Sequence, residues 1–413
     1  MLKPVITICL CLLLFQNGRA QINKPNTTAA QQLVATTGED SLNSFGPGQS
    51  RTVISGYGEL HFQNDVNENR STAELKRAVL FVGHKFTSHI AFFSELEIED
   101  GKIEGGGVKG EIAMEQVYLK FALNPRQYFV AGLFIPRIGI VNENHLPINF
   151  NGVERPITEQ VIIPSTWREI GVGFYGQTST LPLTYSIALL NGLNSEGFEH
   201  GSGFRGGRAE GQNASANSLA VTGAVQFFAG NWKFQASGYM GGTTGMPAKY
   251  ADTLNLQTGV FGAPLYLAEA NIQYGHKGIS FKALGCNVSI PEASSINLAF
   301  NNNTPEQMYG AYAELGYNLL ETAKSKKWMS KQLIIFARYE MLDMNVKTPA
   351  NGVNDGTVNQ THLIAGFSYY PIPQVAIKAD VRMLNTGAQN ILLSADLYKQ
   401  NNSFINLAIG YSF

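Results

Sequence analysis

The chain contains the stretch "NSFINLAIGYSF" at residues 402–413, in which apolar and polar residues alternate. The apolar or aromatic positions are Ile405, Leu407, Ile409 and Tyr411, and the residues between them are small or polar. Successive side chains of a β-strand point to opposite faces. The stretch therefore predicts a strand with one apolar and one hydrophilic face.

The same two-residue period returns along the chain from Arg51 onward. It predicts roughly sixteen strands, most of them about 10 to 13 residues long, which suits a tilted membrane strand better than a soluble one. The predicted strands are 51–63, 74–86, 89–100, 111–123, 127–137, 168–177, 184–191, 215–229, 232–242, 264–276, 279–289, 307–320, 333–344, 359–371, 375–387 and 401–413.

The links between these strands alternate between short and long. Short turns at one end and long loops at the other are typical of an outer-membrane barrel. The predicted fold is therefore all-β: a transmembrane antiparallel β-barrel of about 16 strands, with short periplasmic turns and long external loops. The alternative is a soluble β-sandwich or propeller, whose strands would be shorter and whose loops would not alternate in length.

Composition agrees with a membrane barrel. Charged residues make up 15% of the 413 residues, below the roughly 25% of soluble proteins. The net charge of −1 gives no overall attraction to nucleic acid, and no nucleic-acid partner is predicted.

Three segments are predicted along the chain. Residues 1–20 have the charged start, apolar core and small-residue end of a signal peptide, with cleavage near Ala20. Residues 21–50 are polar without a sustained period and predict a flexible N-terminal arm. Residues 51–413 form the barrel. Cys286 is then the single cysteine of the mature chain, so no intramolecular disulfide is expected.

Three stretches resemble the phosphate-selective porin O/P family. They are "AELKRAVLFVGHKFTSHIAFFSELEIEDG" (73–101), "MEQVYLKFALNPRQYFVAGLFIPRIGI" (114–140) and "WREIGVGFYGQ…LTYSIALLNG" (167–192), the last with Arg168 and Asn191-Gly192 in the matching places. The resemblance implies a sixteen-stranded porin in the outer membrane of a Gram-negative bacterium, usually a homotrimer, whose third long loop folds into the lumen. Two positions depart from the family pattern: Gln116 stands where the family has aspartate, and Ile135 where it has lysine.

Charged residues on the hydrophilic faces predict the character of the lumen. At about sixteen strands a barrel leaves an aqueous channel. The basic residues predicted to line it are Arg77, Lys85, Lys120, Lys233, Lys282, Arg338, Lys378 and Arg382. The acidic ones are Glu59, Glu95, Glu97, Glu169, Glu269, Glu314, Glu340 and Asp380. The two sets nearly cancel, which predicts passive diffusion of small hydrophilic solutes or ions with weak or mixed selectivity. The resemblance adds anions such as phosphate.

The segment 138–167 is the longest link and the candidate constriction loop. The charged constriction candidates in or beside it are Arg137, Glu143, Glu154, Arg155, Glu159 and Arg168, together with His145. One interpretation makes them a transverse field that filters solutes. The other is that several of them form ion pairs that fix the loop to the barrel wall.

Other functions are weighed against the porin. An outer-membrane barrel enzyme would need a nucleophile that the sequence does not mark, so no catalytic residue and no cofactor is predicted. A surface adhesin would have a closed lumen. Glu95, Glu97 and Glu99 lie about 7 Å apart on one strand face, which is loose for a single ion, and no metal site is predicted. The expected partners are outer-membrane lipid, small solutes or ions, and two further copies of the chain.

Overall fold

The computed structural model describes residues 25–36, 51–100, 110–322, 328, 330–392 and 399–413. Within them, sixteen strands form a closed antiparallel barrel in which each strand pairs with its neighbours in sequence. The strands are β1 (Thr52–Asp65), β2 (Arg70–Lys85), β3 (Ile90–Glu99), β4 (Glu111–Asn124), β5 (Gln127–Phe134), β6 (Glu169–Gln177), β7 (Leu183–Asn191), β8 (Leu219–Ala229), β9 (Trp232–Gly241), β10 (Leu265–His276), β11 (Ile279–Ser289), β12 (Gln307–Asn318), β13 (Gln332–Lys347), β14 (Asn359–Ile372), β15 (Val375–Thr386) and β16 (Asn401–Ser412). Four short α-helices accompany them: α1 (Ala29–Ala35), α2 (Thr158–Val161), α3 (Ala248–Thr253) and α4 (Ala293–Phe300).

The C-terminal strand closes the barrel. β16 pairs with β1 over nine residues, from Tyr57↔Ser412 to Asp65↔Phe404. Beyond the ladder, Gly56 and Phe413 exchange two backbone hydrogen bonds of 3.0 and 2.9 Å. Leu407 is 47% exposed whereas Asn406 is 2% exposed, so the apolar face of the alternation points outward, toward lipid.

The predicted fold class is confirmed. Both ends of the barrel sheet and most of the short links lie at one end, here called the turn end, and most of the long links lie at the loop end. Two links depart from this alternation: link 66–69, at the loop end, has four residues, and link 319–331, at the turn end, has thirteen. The predicted strand boundaries agree with the observed ones to within about four residues, the usual uncertainty of a sequence pattern. None of the helices among the described residues is long and apolar enough to cross a membrane.

The link between β5 and β6, residues 135–168, folds into the barrel and is called loop L3. Its apolar side chains, among them Ile138, Ile162 and Trp167, are completely buried. They pack in one cluster with inward-facing residues such as Leu284 and Tyr312 on the opposite wall. The resemblance implied this inward loop, and the structure confirms it. The apolar cluster also shows that part of the lumen is filled rather than wet.

A second element inside the barrel is helix α1. The structure describes residues 25–36 of the predicted flexible arm, and there the chain forms a helix against β1, β2 and β3. The prediction of a flexible arm is wrong for this part. Residues 1–24 and 37–50, with the predicted signal peptide and the rest of the arm, lie outside the described residues.

The helix is held by polar contacts and close packing. The Ala30 amide donates to Ser55 Oγ at 3.1 Å, and Lys120 Nζ donates to the carbonyl oxygens of Val34 and Ala35 at 2.9 and 3.2 Å. A Cβ at Gly83 would lie 2.8 Å from the Ala30 carbonyl oxygen, so glycine there permits the close approach. The helix therefore occupies the turn end of the lumen.

Candidate functional lumen

The wall charges predicted from the alternation lie on the inner face of the barrel. Arg77, Lys85, Lys120, Arg338 and Lys378 are all buried, as are Glu59, Glu95, Glu97, Glu169, Glu269, Glu314, Glu340 and Asp380. Lys233, Lys282 and Arg382 are partly exposed. Most of these groups have partners within the protein, so they do not all face an open channel.

Several wall charges hold loop L3. Arg338 lies 3.2 Å from Glu314 and 2.9 Å from Glu340, and its guanidinium also donates to the carbonyl oxygens of Asn151 and Glu154. Further bonds from wall to loop have the same effect: Lys378 Nζ to the Phe150 carbonyl (2.8 Å), the Val153 amide to Asp380 (2.6 Å), and the Thr158 amide to Glu340 (3.0 Å). These contacts favour the interpretation that charges fix the loop to the wall.

Two of the cavities between described residues lie on the side of the lumen that β3 and β4 form. The upper cavity, toward the loop end, has a volume of about 270 Å³. Its charged lining residues are Lys76, Arg77, Arg155, Arg168, Arg205 and Arg208, with Glu59, Glu97, Glu99, Glu111, Glu154 and Glu210. Six cationic groups thus face six carboxylates, and His61 lies among them.

The lower cavity, toward the turn end, has a volume of about 200 Å³. Aromatic residues form much of its wall, and Lys120, Gln116 and Glu143 supply polar groups. Val34 and Ala35 of helix α1 also line it. The helix therefore borders the remaining space at this end.

Glu95, Glu115 and His145 lie between the two cavities. On β3, Phe93 lines the lower cavity and Glu97 the upper one, with Glu95 between them. On β4, Gln116 lines the lower cavity and Ala113 the upper one, with Glu115 between them. On loop L3, Glu143 lines the lower cavity and Phe150 the upper one, with His145 between them in sequence. His145 Nε2 is 3.0 Å from Glu95 Oε1 and 3.8 Å from Glu115 Oε2.

The constriction candidates divide into two groups. Arg137 and Glu143 form an ion pair of 2.7 Å beside the lower cavity. Glu154, Arg155 and Arg168 line the upper cavity. Arg155 is buried, and its Nε and Nη2 have no hydrogen-bond partner within the described residues.

Arg168 and Glu154 are paired with groups outside loop L3. Arg168 Nη2 is 2.7 Å from Glu210, and its Nη1 is 3.6 Å from Glu115. Glu154 is 3.2 Å from His61 Nδ1. Their pairing with other segments joins the loop to the walls of the upper cavity.

Glu159 does not line either cavity but anchors loop L3 from within. Its carboxylate accepts hydrogen bonds from the amides of Ile140 and Val141, both at 2.7 Å, and from the Tyr312 hydroxyl at 2.6 Å. Burial raises the pKa of Glu159 to about 7 although these three hydrogen bonds act in the opposite direction.

This raised pKa predicts pH-dependent anchoring. Because the folded-state pKa exceeds the ordinary value, the stabilisation is complete at low pH and is lost as pH rises through about 7. Between pH 5 and 8, amide-exchange protection at Ile140 and Val141, corrected for intrinsic rates, should fall more than about tenfold. Glu159→Gln, which mimics the neutral acid, should remove most of that dependence. An equal pH response in both proteins would contradict the assignment.

Sequence reasoning missed Lys76 and Glu115 because β-bulges shift the alternation. In β4 the register passes from Glu95↔Gln116 to Leu96↔Met114, which leaves Glu115 as the extra residue. In β2 a similar shift leaves Lys76 extra. A bulge can turn an additional side chain toward a site. Arg205 and Arg208, which also line the upper cavity, belong to the glycine-rich residues 201–215, where no alternation marks them.

Comparison with known proteins gives one clear relative by sequence. It is an uncharacterized protein of Aquifex aeolicus, 32% identical over 341 residues, which cover 79% of this chain and 74% of the relative. The chain belongs to the same family as this protein. No established family model matches it.

Solved structures with the same fold are outer-membrane proteins. The channel DcaP of Acinetobacter baumannii is 11% identical with a TM-score of 0.52, covering 88% of this chain and 97% of its own. An anion-selective porin of Comamonas acidovorans is 10% identical (TM-score 0.50), and OmpT of Vibrio cholerae, in a trimer form, is 11% identical (TM-score 0.50); both alignments cover 88% of this chain and 99% of the other. These likenesses show a porin-type fold. They do not confirm the phosphate-selective family.

Proposed function

We propose that the protein is an outer-membrane porin that lets small hydrophilic solutes or ions diffuse passively, and that it is not an enzyme. The observation that carries this proposal is the upper cavity, a polar space inside a closed barrel of porin type. Lipid-facing apolar residues around the barrel, such as Ile405 and Ile409, suit a membrane-embedded wall. We further propose a homotrimer, as in the trimer form of the Vibrio protein, and export after cleavage near Ala20.

The charges of the upper cavity support weak selectivity. An anion-selective passage needs a basic excess, because the sign of the field in a narrow pore follows the charges that line it. Here six lysine and arginine side chains, together with His61, oppose six carboxylates, so neither sign is in clear excess. We therefore infer a mixed filter that acts on size and dipole, and not a dedicated phosphate path.

Reversal potentials in a potassium chloride gradient test this proposal. The wild-type value should stay well below the ideal value for either ion alone, because the lining charges nearly balance. Arg155→Gln should shift the preference toward cations, since its guanidinium lines the cavity with two nitrogens that have no hydrogen-bond partner among the described residues.

The double variant Arg137→Gln, Glu143→Gln serves as the matched control, because it removes both partners of an ion pair and leaves the net charge of the lumen unchanged. It should shift the reversal potential less than Arg155→Gln does. A near-ideal preference for either ion in the wild type, or equal shifts in the two variants, would overturn the proposed filter.

A closed barrel, such as an adhesin, is the second candidate. It is favoured by one observation: loop L3 and helix α1 both occupy the lumen. A closed barrel predicts no conductance from the folded protein. The recordings of reversal potential therefore also distinguish it from a porin.

A further inference from the structure

The cluster of Glu95, Glu115 and His145 has the donor atoms of a metal site. One imidazole nitrogen and two carboxylate oxygens, one from each residue, lie within 4.8 Å of one another. Donors about 2.1 Å from a tetrahedrally coordinated zinc ion lie about 3.4 Å from one another. The distances of 3.0 and 3.8 Å from His145 Nε2 to the two carboxylates lie on either side of this value.

One carboxylate oxygen in the cluster has no partner. Glu115 is fully buried, and its Oε2 accepts no hydrogen bond within the described residues. Leaving a buried charged oxygen without a donor is costly. A cation bound among the three residues would satisfy this oxygen.

The remaining polar atoms of the cluster are already held in position. His145 Nδ1 is 2.9 Å from the Asn142 carbonyl, so Nδ1 carries a proton and Nε2 is the atom presented to the carboxylates. Gln116 donates to Glu95 Oε2 at 2.6 Å, and the Thr166 hydroxyl donates to Glu115 Oε1. Metal ligands typically show such outer hydrogen bonds, which orient them toward the ion.

His61, a second histidine in the lumen, makes different contacts from those of His145. Both ring nitrogens of His61 face carboxylates, with Nε2 2.9 Å from Glu59 and Nδ1 3.2 Å from Glu154. In the part of the chain that the structure describes, no backbone carbonyl accepts a hydrogen bond from either nitrogen of His61 and thereby presents the other to an ion. This arrangement suits an ion pair, whereas that of His145 suits coordination.

We propose that Glu95, Glu115 and His145 bind one divalent transition-metal ion, of which Zn²⁺ is the representative. The imidazole ligand favours such an ion over Mg²⁺ or Ca²⁺, which prefer oxygen ligands alone. Three protein ligands leave a coordination position for water, as in open zinc sites. Because His145 belongs to loop L3 and the carboxylates belong to β3 and β4, the ion would join the loop to the wall between the two cavities.

The test measures Zn²⁺ binding to the full-length exported protein in detergent after removal of metals with a chelator. Calorimetry and elemental analysis should find one Zn²⁺ per chain, and Co²⁺ in its place should give the visible spectrum of a nitrogen- and oxygen-liganded ion. His145→Gln and Glu115→Gln should each weaken binding at least 100-fold. His61→Gln is the matched control and should leave it unchanged.

The outcomes separate the alternatives. Absence of stoichiometric binding to the wild type, or equal loss in the His61 variant, would overturn the proposal. If the ligand variants do not fold, Gln116→Ala removes an outer hydrogen bond only and should weaken binding about tenfold; unchanged binding there, with unchanged Co²⁺ spectra, would also count against the site. The measurement needs no conductance, so its failure leaves the proposed channel untouched.

Discussion

Deletion of residues 25–36 should increase single-channel conductance several-fold. Helix α1 borders the lower cavity and is held against the inner wall by Ser55 and Lys120. Removing it frees space at the turn end, and the current through a pore rises with its open cross-section. Planar-bilayer recordings of the wild-type and deleted proteins under the same salt conditions measure the effect.

Two point variants control for the deletion. Ala30 is completely buried against Gly83, whereas the adjacent Ala29 is exposed. Ala30→Gln should displace the helix and raise conductance, and Ala29→Gln should leave it nearly unchanged. If neither the deletion nor Ala30→Gln changes the conductance of folded protein, the helix does not limit the passage.

Replacement of Arg338 by methionine should release loop L3 from the far wall. The guanidinium is 2% exposed and lies between Glu314 and Glu340, so the variant leaves two buried carboxylates without their cation. Breaking such a buried pair typically costs about 3–5 kcal/mol. Hydrogen exchange should show faster exchange in residues 150–160, and the thermal midpoint in detergent should fall.

The charge balance around Arg338 provides the controls. Adding Glu314→Gln and Glu340→Gln to Arg338→Met removes the uncompensated charges and should recover part of the lost stability. Lys233→Met removes a partly exposed lumen cation and should leave exchange in residues 150–160 unchanged. Equal loosening in the Arg338 and Lys233 variants would show that the loop does not depend on this particular contact.

The barrel could be predicted from sequence because its strands follow a local rule. Residues 405–413 alternate strictly, and the structure pairs this strand with β1 as a closed sheet requires. The alternation failed where a bulge inserted one residue, which is why Glu115 was not assigned to the lumen. The two-residue period of the sequence does not show where a β-bulge shifts the alternation.

The sequence indicates helix α1 less clearly than it indicates the strands. Thr28 and Gln31 form a capping box, with the Thr28 amide donating to Gln31 Oε1 at 2.8 Å, and the spacing of threonine and glutamine could have suggested a helix start. A seven-residue helix is not stable alone in water, so its formation depends on contacts with the barrel. The partners of loop L3 were unpredictable for the same reason: Arg338 and Asn151 are 187 residues apart in sequence.

Single-channel recording of the wild-type protein tests the channel most directly. Folded protein, verified by its β-sheet circular dichroism, is added to a planar lipid bilayer in potassium chloride. Discrete and reproducible conductance steps are the expected result. A folded protein that inserts into the bilayer and produces no steps above the bare membrane would contradict a water-filled passage through this barrel.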